Sequence, residues 1–568
     1  MITEYHAKLF AHELSRRHSV ADAAKLAGTL VDAQVPYELL GLAKRTAQRL
    51  QKDAATPAAR LIHCRGLLQQ GQCDPRLDAF AQQLSCMPKD EQHFWIGTFY
   101  ALLLPTTERR SKAMYFTPPH IARSIVALAC KHGFDLKRHT AIDPAAGGAA
   151  FLSTLAAQMS DGGSTPSSIV KRLNGVELDS GLAALSEILI GDQLGTKVER
   201  RAIVTVGNSL KRLPSAQFDL VLANPPYGRV SQNETAKRHW ENVCHPGHIN
   251  KYALFTELCI RLTKPQGLVG LVLPSSFVAG PLYDKLRAFL RQRAEILVLG
   301  AVPRRDEAFI DVDQDVSVVL ARAGEAHRAT TPVVFGSFER WQAFKANAVS
   351  ALSLDPGEPW VIPASVAGIA TGGATLDDYG VTVRAGYFVW NREQDRMLTR
   401  KRRKLDIPLI WAQNVRAGKL CSPKSKERAN GIDYVRFEGE SSAIVRKNAI
   451  VIQRTTNNSQ DRRLIAACVD PQVLKKWGGF VSENHTIVIT GDDAATINTL
   501  CLLLNSKAVD ARYRQLSGTA SISVNLLRRL DLPAPQVLTV ALAHSKNAEK
   551  AIEEAYAASR FPLATVRA

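Results

Sequence analysis

The sequence contains nine cysteines but no Cys-x-x-Cys pair. Thiols that are odd in number and scattered point to a reducing compartment and exclude a disulfide scaffold. Long apolar runs are missing as well. A bilayer-spanning helix needs about 20 consecutive apolar residues, and the best candidate, Leu254 to Gly280, is broken by Glu257, Arg261 and Lys264. The first residues carry no apolar core of the kind a secretion signal needs. These absences predict a soluble, cytoplasmic chain with no membrane partner. Metal ligands are sparse too. Cys244, His245 and His248 cluster, but structural zinc wants four ligands and no second pair lies nearby, so no metal is expected. No glycine turn is followed by a phosphate-cradling lysine, which excludes a P-loop.

Positive charge is in excess. Over 568 residues, 72 Lys and Arg stand against 53 Asp and Glu, a formal net charge of +19. Clustered cations are rewarded by a polyanionic partner through counterion release, although a generally basic protein would look the same by composition. The length calls for two or three domains.

Three regions differ in pattern. Residues 1–105 read as helices, with Tyr5, Leu9, Phe10 and Leu14, and again Phe94, Ile96, Tyr100 and Leu103, at helical spacing. Pro105 ends that block. From 106 to 345, short apolar runs alternate with amphipathic helices. The expected strands are Thr140–Asp143, Lys171–Leu178, Ala202–Val206, Phe218–Ala223, Gly267–Pro274, Glu295–Gly300 and Asp315–Ala321. Such alternation predicts an α/β fold with a doubly wound, mainly parallel sheet. Residues 350–536 are basic and rich in short strand-like runs, predicting an α+β domain, and a helical tail follows over 537–568.

Two segments point to a nucleoside-type cofactor. Asp143-Pro144-Ala145-Ala146-Gly147-Gly148-Ala149-Ala150-Phe151 follows a strand and opens a helix, where small residues let backbone approach a ligand. Such turns occur in many nucleotide-binding folds. Further on, Glu177 ends the second strand, where a carboxylate can accept both hydroxyls of a ribose. That gap exceeds the usual ~20 residues, and a Gly- and Ser-rich loop at 161–168 accounts for the excess. Asn208 and Ser209 follow the third strand, and Asn208 can bond an adenine edge.

The strand Phe218–Ala223 runs directly into Asn224-Pro225-Pro226-Tyr227. Neither proline can donate a ladder hydrogen bond, so the sheet must stop there and project the loop from its carboxyl edge. An aromatic amine is a poor nucleophile because its lone pair is delocalised. The Asn224 side-chain oxygen and the Pro225 carbonyl can each accept one of its N–H bonds and hold it toward a tetrahedral geometry, a preorganisation that the prolines stiffen. Tyr227 offers a face on which a base can stack.

In this order of motifs the chain resembles the gamma-class N6-adenine DNA methyltransferases of restriction–modification systems, over roughly 105 to 535. Tyr115-Phe116-Thr117-Pro118-Pro119 resembles the family's segment at the methionine end of S-adenosylmethionine. Phe255, in Lys251-Tyr252-Ala253-Leu254-Phe255, resembles its aromatic packed on the cofactor adenine, and Gly267 to Phe277 its following strand. Phe309, upstream of Val316-Ser317-Val318-Val319, resembles the aromatic that stacks on the flipped target base. The resemblance implies a Rossmann-like class I methyltransferase fold. It also implies S-adenosylmethionine as cofactor, double-stranded DNA as substrate with base flipping, and a separately encoded restriction endonuclease as a partner in a prokaryotic cell. Two departures stand out. The family's Cys-Gly-Ser-Gly is here Ala146-Gly147-Gly148-Ala149, and its acid after the third strand is here Asn208.

The C-terminal region resembles the family's target-recognition domain. Between 391 and 430, twelve Lys or Arg stand against four acids. The densest run, Arg400-Lys401-Arg402-Arg403-Lys404, suits phosphate contact. Arg454 and Asn484 resemble recurrent stretches of such domains, and Arg and Asn can read guanine and adenine edges. Protein-glutamine or ribosomal-RNA methyl transfer could use the same Asn-Pro-Pro-Tyr loop, but the large basic region after the sheet favours DNA. A DNA-recognition subunit with weakened catalysis is the other alternative.

Overall fold

The computed structural model describes residues 38–69, 74–112, 116–195, 203–211, 218–230, 240–302, 316–338, 343–352, 355, 358–360, 373–398, 403, 406–421, 433–456, 462–516 and 521–559. Tyr5, Leu9, Phe10, Leu14, Tyr115, Phe309, Arg400, Lys401, Arg402 and Lys404 lie outside these described residues.

The central element is a nine-stranded sheet. Its strands are β1 (Ala141–Asp143), β2 (Leu173–Glu177), β3 (Val204–Val206), β4 (Phe218–Ala223), β5 (Thr263–Pro274), β6 (Ala294–Val302), β7 (Val316–Ala323), β8 (Pro332–Phe338) and β9 (Phe344–Ala351). They lie in the order β3-β2-β1-β4-β5-β7-β6-β8-β9. The pairings from β3 through β5 are all parallel, while β7 runs against β5 and β6, and β9 against β8. This is the α/β, mainly parallel sheet that the alternating pattern predicts. Strand order reverses between β1 and β4, and a ligand crevice opens outside the carboxyl ends of strands at such a switch point.

The apolar run of β4 reflects burial on both faces. Leu220 and Leu222 join one core with Ile125, Leu152 and Val272, while Val221 and Ala223 join the other with Phe255, Val269 and Leu290. Helices Pro119–Lys131 and Ala150–Asp161 cover the first face, and Lys251–Leu262 and Asp284–Arg293 the second.

All seven expected strands are present, with two local differences. The stretch 161–168 is not simply a loop. Thr165 accepts a hydrogen bond from Ser168 N and Pro166 occupies the first turn, so a helix, Pro166–Arg172, starts inside it and takes the first two residues expected in β2. The sheet also runs past residue 345, because β8 and β9 form a hairpin reaching Ala351.

Helices 38–50, Pro57–Leu68, Asp78–Ser85 and Lys89–Leu102 precede the sheet. They share one apolar cluster with Leu182, Leu185 and Leu189 of helix Ser180–Leu194, so the N-terminal layer packs directly on the sheet domain. Beyond the sheet, a six-stranded and a four-stranded sheet combine with helices Ala494–Leu504 and Lys507–Leu516. The tail helices Pro535–His544 and Ala548–Ala558 bury Leu538, Ile552 and Tyr556 in that same core. Trp360, after the sheet, packs edge-on to Phe277 and its backbone N–H donates to Val278 O at 2.8 Å, while the neighbouring Ala279 joins the C-terminal core. Among the described residues, no helix is long and apolar enough to cross a membrane.

Candidate active site

Register places the site. Ala141 and Ile142 of β1 pair with Leu220 and Val221 of β4, so Asp143 and Asn224 leave the sheet on adjacent strands at the switch point. Asp143 is buried, at 2% exposure, and its Oδ1 accepts from Ala145 N at 2.9 Å. Burial, reinforced by the Glu177 charge, pushes its carboxyl up to about 8.

Glu177 closes the turn from the other side. Its Oε2 accepts from Gly147 N at 2.9 Å and its Oε1 from Asp179 N at 2.9 Å. Burial raises this carboxyl too, against the backbone N–H donors that favour its charge. Ser186 Oγ donates to Gly147 O at 2.7 Å, and the Phe116 ring lies 3.2 Å from where a Cβ on Gly147 or Gly148 would stand. A side chain at either glycine would crowd this ring, Gly147 also takes a positive φ of 53° that favours glycine, and Thr117 is buried beside Phe116.

Ser209 Oγ donates to Pro144 O at 2.6 Å, tying the loop after β3 to the turn after β1. Asn208 Oδ1 accepts from Leu210 N at 3.0 Å, which engages the oxygen end of this side chain within its own loop. Phe255 is buried in the apolar cluster against which Ala145 and Leu210 pack. Two residues not singled out in the sequence complete this edge. Leu178 and Val206, at the ends of β2 and β3, are 69% and 51% exposed, large apolar side chains left open to solvent. For Leu178 the sequence signal is an apolar residue between two acids, Glu177 and Asp179; Val206 carries no such signal.

Ala149 stands where the resembled family has glycine, and it adopts φ 60° and ψ 23°, the left-handed region. A side chain there costs roughly 1–2 kcal/mol. The backbone at this turn thus demands what glycine gives freely, and the buried Ala149 methyl offsets part of the cost through core contacts. Ala149→Gly is therefore expected to be neutral or stabilising by up to about 1 kcal/mol in urea unfolding. An ordinary helical Ala→Gly change loses about that much, and a loss of that size here would contradict the strain.

Asn224 and Tyr227 meet at the end of β4. The Tyr227 hydroxyl donates to Asn224 Oδ1 at 3.1 Å and to Val272 O at 3.4 Å. Its ring is partly buried against both sheet cores and lies edge-on to Tyr252, with centroids 6.3 Å apart. Pro225 is buried and Pro226 half-buried. His245, by contrast, bonds Asp284 Oδ1 at 2.6 Å, and no group of three or more metal-ligating side chains occurs among the described residues.

In the C-terminal half, Arg454 follows strand Asn448–Gln453 and Asn484 precedes strand Thr486–Gly491, its neighbour in the sheet. Arg454 Nη1 donates to Asn484 O at 3.1 Å, so the structure brings these two residues together. Arg403 is exposed.

Residues 92–316 match the family model described as N-6 DNA Methylase. That stretch holds every residue above that the sequence reading assigns to a cofactor, and the Asn224-Pro225-Pro226-Tyr227 loop. The chain is 21% identical over 346 residues to the Type II methyltransferase M.PstI of Providencia stuartii, covering 57% of this chain and 66% of that one. It is 27% identical over 217 residues to the Type II methyltransferase M.TthHB8I of Thermus thermophilus, covering 35% and 44%. The chain thus spans less than two thirds of either relative. Among solved structures, the Type IIL restriction-modification enzyme MmeI in complex with DNA aligns over 98% of this chain and 96% of its own, at 11% identity and a TM-score of 0.49.

Proposed function

We propose that the chain is a gamma-class methyltransferase that modifies N6 of adenine in duplex DNA, within a restriction–modification or related defence system. The observation that carries this reading is the adjacency of Asp143 and Asn224 across β1 and β4, which sets the carboxylate at the end of β1 beside a proline-stiffened amide.

The residues fit S-adenosylmethionine. Glu177 is fixed by two backbone donors and keeps lone pairs for the ribose hydroxyls. Leu178 gives the adenine an apolar face, and the Asn208 amide nitrogen suits an acceptor nitrogen of that ring. Phe116 and Thr117, with Tyr115, belong to the methionine end. When bound there, S-adenosylmethionine supplies a methyl group activated by its sulfonium charge.

The chain's own groups handle the acceptor. Asn224 Oδ1 and Pro225 O accept the two N–H bonds of the adenine amine and turn its lone pair toward the donor. Tyr227 and Phe309 stack on the base, which must leave the duplex to reach this depth. Arg454 and Asn484 contribute to reading the sequence, and Arg400, Lys401, Arg402, Arg403 and Lys404 hold the phosphate backbone. A nuclease encoded elsewhere would cut unmodified DNA.

Sequencing modified bases in DNA from cells expressing the chain tests the reading. N6-methyladenine confined to one short motif is expected; unmodified adenine, from folded protein that binds S-adenosylmethionine, would overturn it. The basic run has its own test. Replacing three of its five residues by Gln should weaken cognate and scrambled duplexes about equally, and should reduce the salt slope of log K by roughly 0.9 per lost contact. An unchanged slope with lost selectivity would make the run a base reader instead.

A further inference from the structure

The N-terminal helices press on the cofactor turn at three points. Gly97 of helix Lys89–Leu102 faces Gly148, and a Cβ on either would lie 3.3–3.4 Å from the other's Cα, so the helix backbone rests on the turn itself. His93, on the same helix, bonds Ser153 Oγ at 2.9 Å through Nδ1 and Asp192 Oδ2 at 3.1 Å through Nε2. It thereby joins the helices that follow β1 and β2.

The third point reaches the ribose-binding carboxylate. The Tyr100 hydroxyl, on a fully buried side chain, donates to Asp179 Oδ1 at 2.6 Å. Arg60 Nη2 lies 3.9 Å from Asp179 Oδ2, with both side chains buried. Asp179 Oδ1 also accepts from Gly181 N and Leu182 N at 3.1 Å, capping helix Ser180–Leu194. Its backbone N–H in turn donates to Glu177 Oε1. At Gly181 a Cβ would collide with the Tyr100 hydroxyl and stand 2.7 Å from Pro57 O, so the layer and the cap fit without slack.

We propose that Tyr100 is a positioning residue for cofactor binding. By holding Asp179 it fixes the rotamer of Glu177, which makes the N-terminal helical layer part of the cofactor-binding machinery. The inference rests on the reading of Glu177 as the ribose acceptor. Two observations argue against mere scaffolding. The path from Tyr100 to Glu177 enters Asp179 at its carboxylate, by a hydrogen bond of 2.6 Å, and leaves at its backbone N–H, by one of 2.9 Å. The donor at its far end is a single hydroxyl that can be removed without changing the shape of the ring.

Calorimetric titration of the full chain with S-adenosylmethionine decides the matter. Tyr100→Phe is expected to raise the dissociation constant roughly 10-fold, by analogy with the low end of what partners of metal-binding side chains contribute. Turnover at saturating cofactor should not change, so the effect appears in KM and not in kcat. Asp179→Asn, which keeps a capping oxygen, should shift affinity in the same direction. In a Glu177→Gln background, Tyr100→Phe should have almost no further effect, because neighbours acting through one group are non-additive. An unchanged affinity in Tyr100→Phe, or an equal loss with and without Glu177, would overturn the proposal and leave the cofactor reading standing. A wild-type chain that binds no S-adenosylmethionine would overturn both.

Discussion

Asn224→Ala is expected to lower turnover by roughly 100-fold or more, the usual cost of losing one preorganised polar contact at a reacting group, with cofactor affinity nearly unchanged. The geometry sharpens this expectation. Asn224 Oδ1 already accepts the Tyr227 hydroxyl, so an incoming amine has to share this oxygen with Tyr227 or replace it at one of its two lone pairs, and Tyr227 has to turn to offer its face. Tyr227→Phe removes the competing donor and keeps the ring, so turnover should stay within a few-fold of wild type. Tyr227→Ala removes the face as well. Base–aromatic stacking is worth about 1–3 kcal/mol, so that variant should lose roughly 10- to 100-fold in kcat/KM. Single-turnover methylation of a short duplex separates the three. Wild-type turnover in folded Asn224→Ala would remove this loop from the chemistry.

The parts of this site that are legible in the sequence are those with local causes. The end of β4 falls at Ala223 as expected, because two prolines stop a ladder wherever they occur. Glu177 and Asp143 lie where a strand-to-helix reading puts them. The Tyr227–Asn224 bond is legible only in part: the residues adjoin in sequence, but the ring's resting place depends on Val272 and Tyr252, far along the chain. The Tyr100–Asp179 contact spans 79 residues, and no periodicity or motif announces it. The β8–β9 hairpin is hard to read from the sequence for a different reason. Its second strand forms the sheet edge and mixes polar with apolar residues, so the run Phe344–Ala351 lacks the continuous apolar signature of a central strand. The Ala149 departure could be read from the sequence as a difference; only the backbone angle shows that it carries strain.

Glu177→Ala is expected to raise the dissociation constant for S-adenosylmethionine by on the order of 100-fold, since two charge-assisted bonds at about 1.5 kcal/mol each would be lost. The pH dependence of that affinity involves Asp143 as well. Its carboxyl is pushed up to about 8 by burial, well above the ~3.9 of an unfolded aspartate. A group raised in this way contributes stability that is fully present below about pH 4 and lost as pH climbs through 8. The cofactor-free chain should therefore lose stability across that window, and Asp143→Asn should lose less. Cofactor affinity should move the other way. A cationic ligand favours ionised carboxylates, so binding releases protons below pH 8, and affinity should rise with pH until about that point. Titrations between pH 6 and 9 in buffers of different ionisation enthalpy would report the released proton directly. If Asp143→Asn shows the same rise and the same proton release as wild type, the titrating group is not Asp143, and the carboxyl beside the turn after β1 has no part in holding the cofactor's charge.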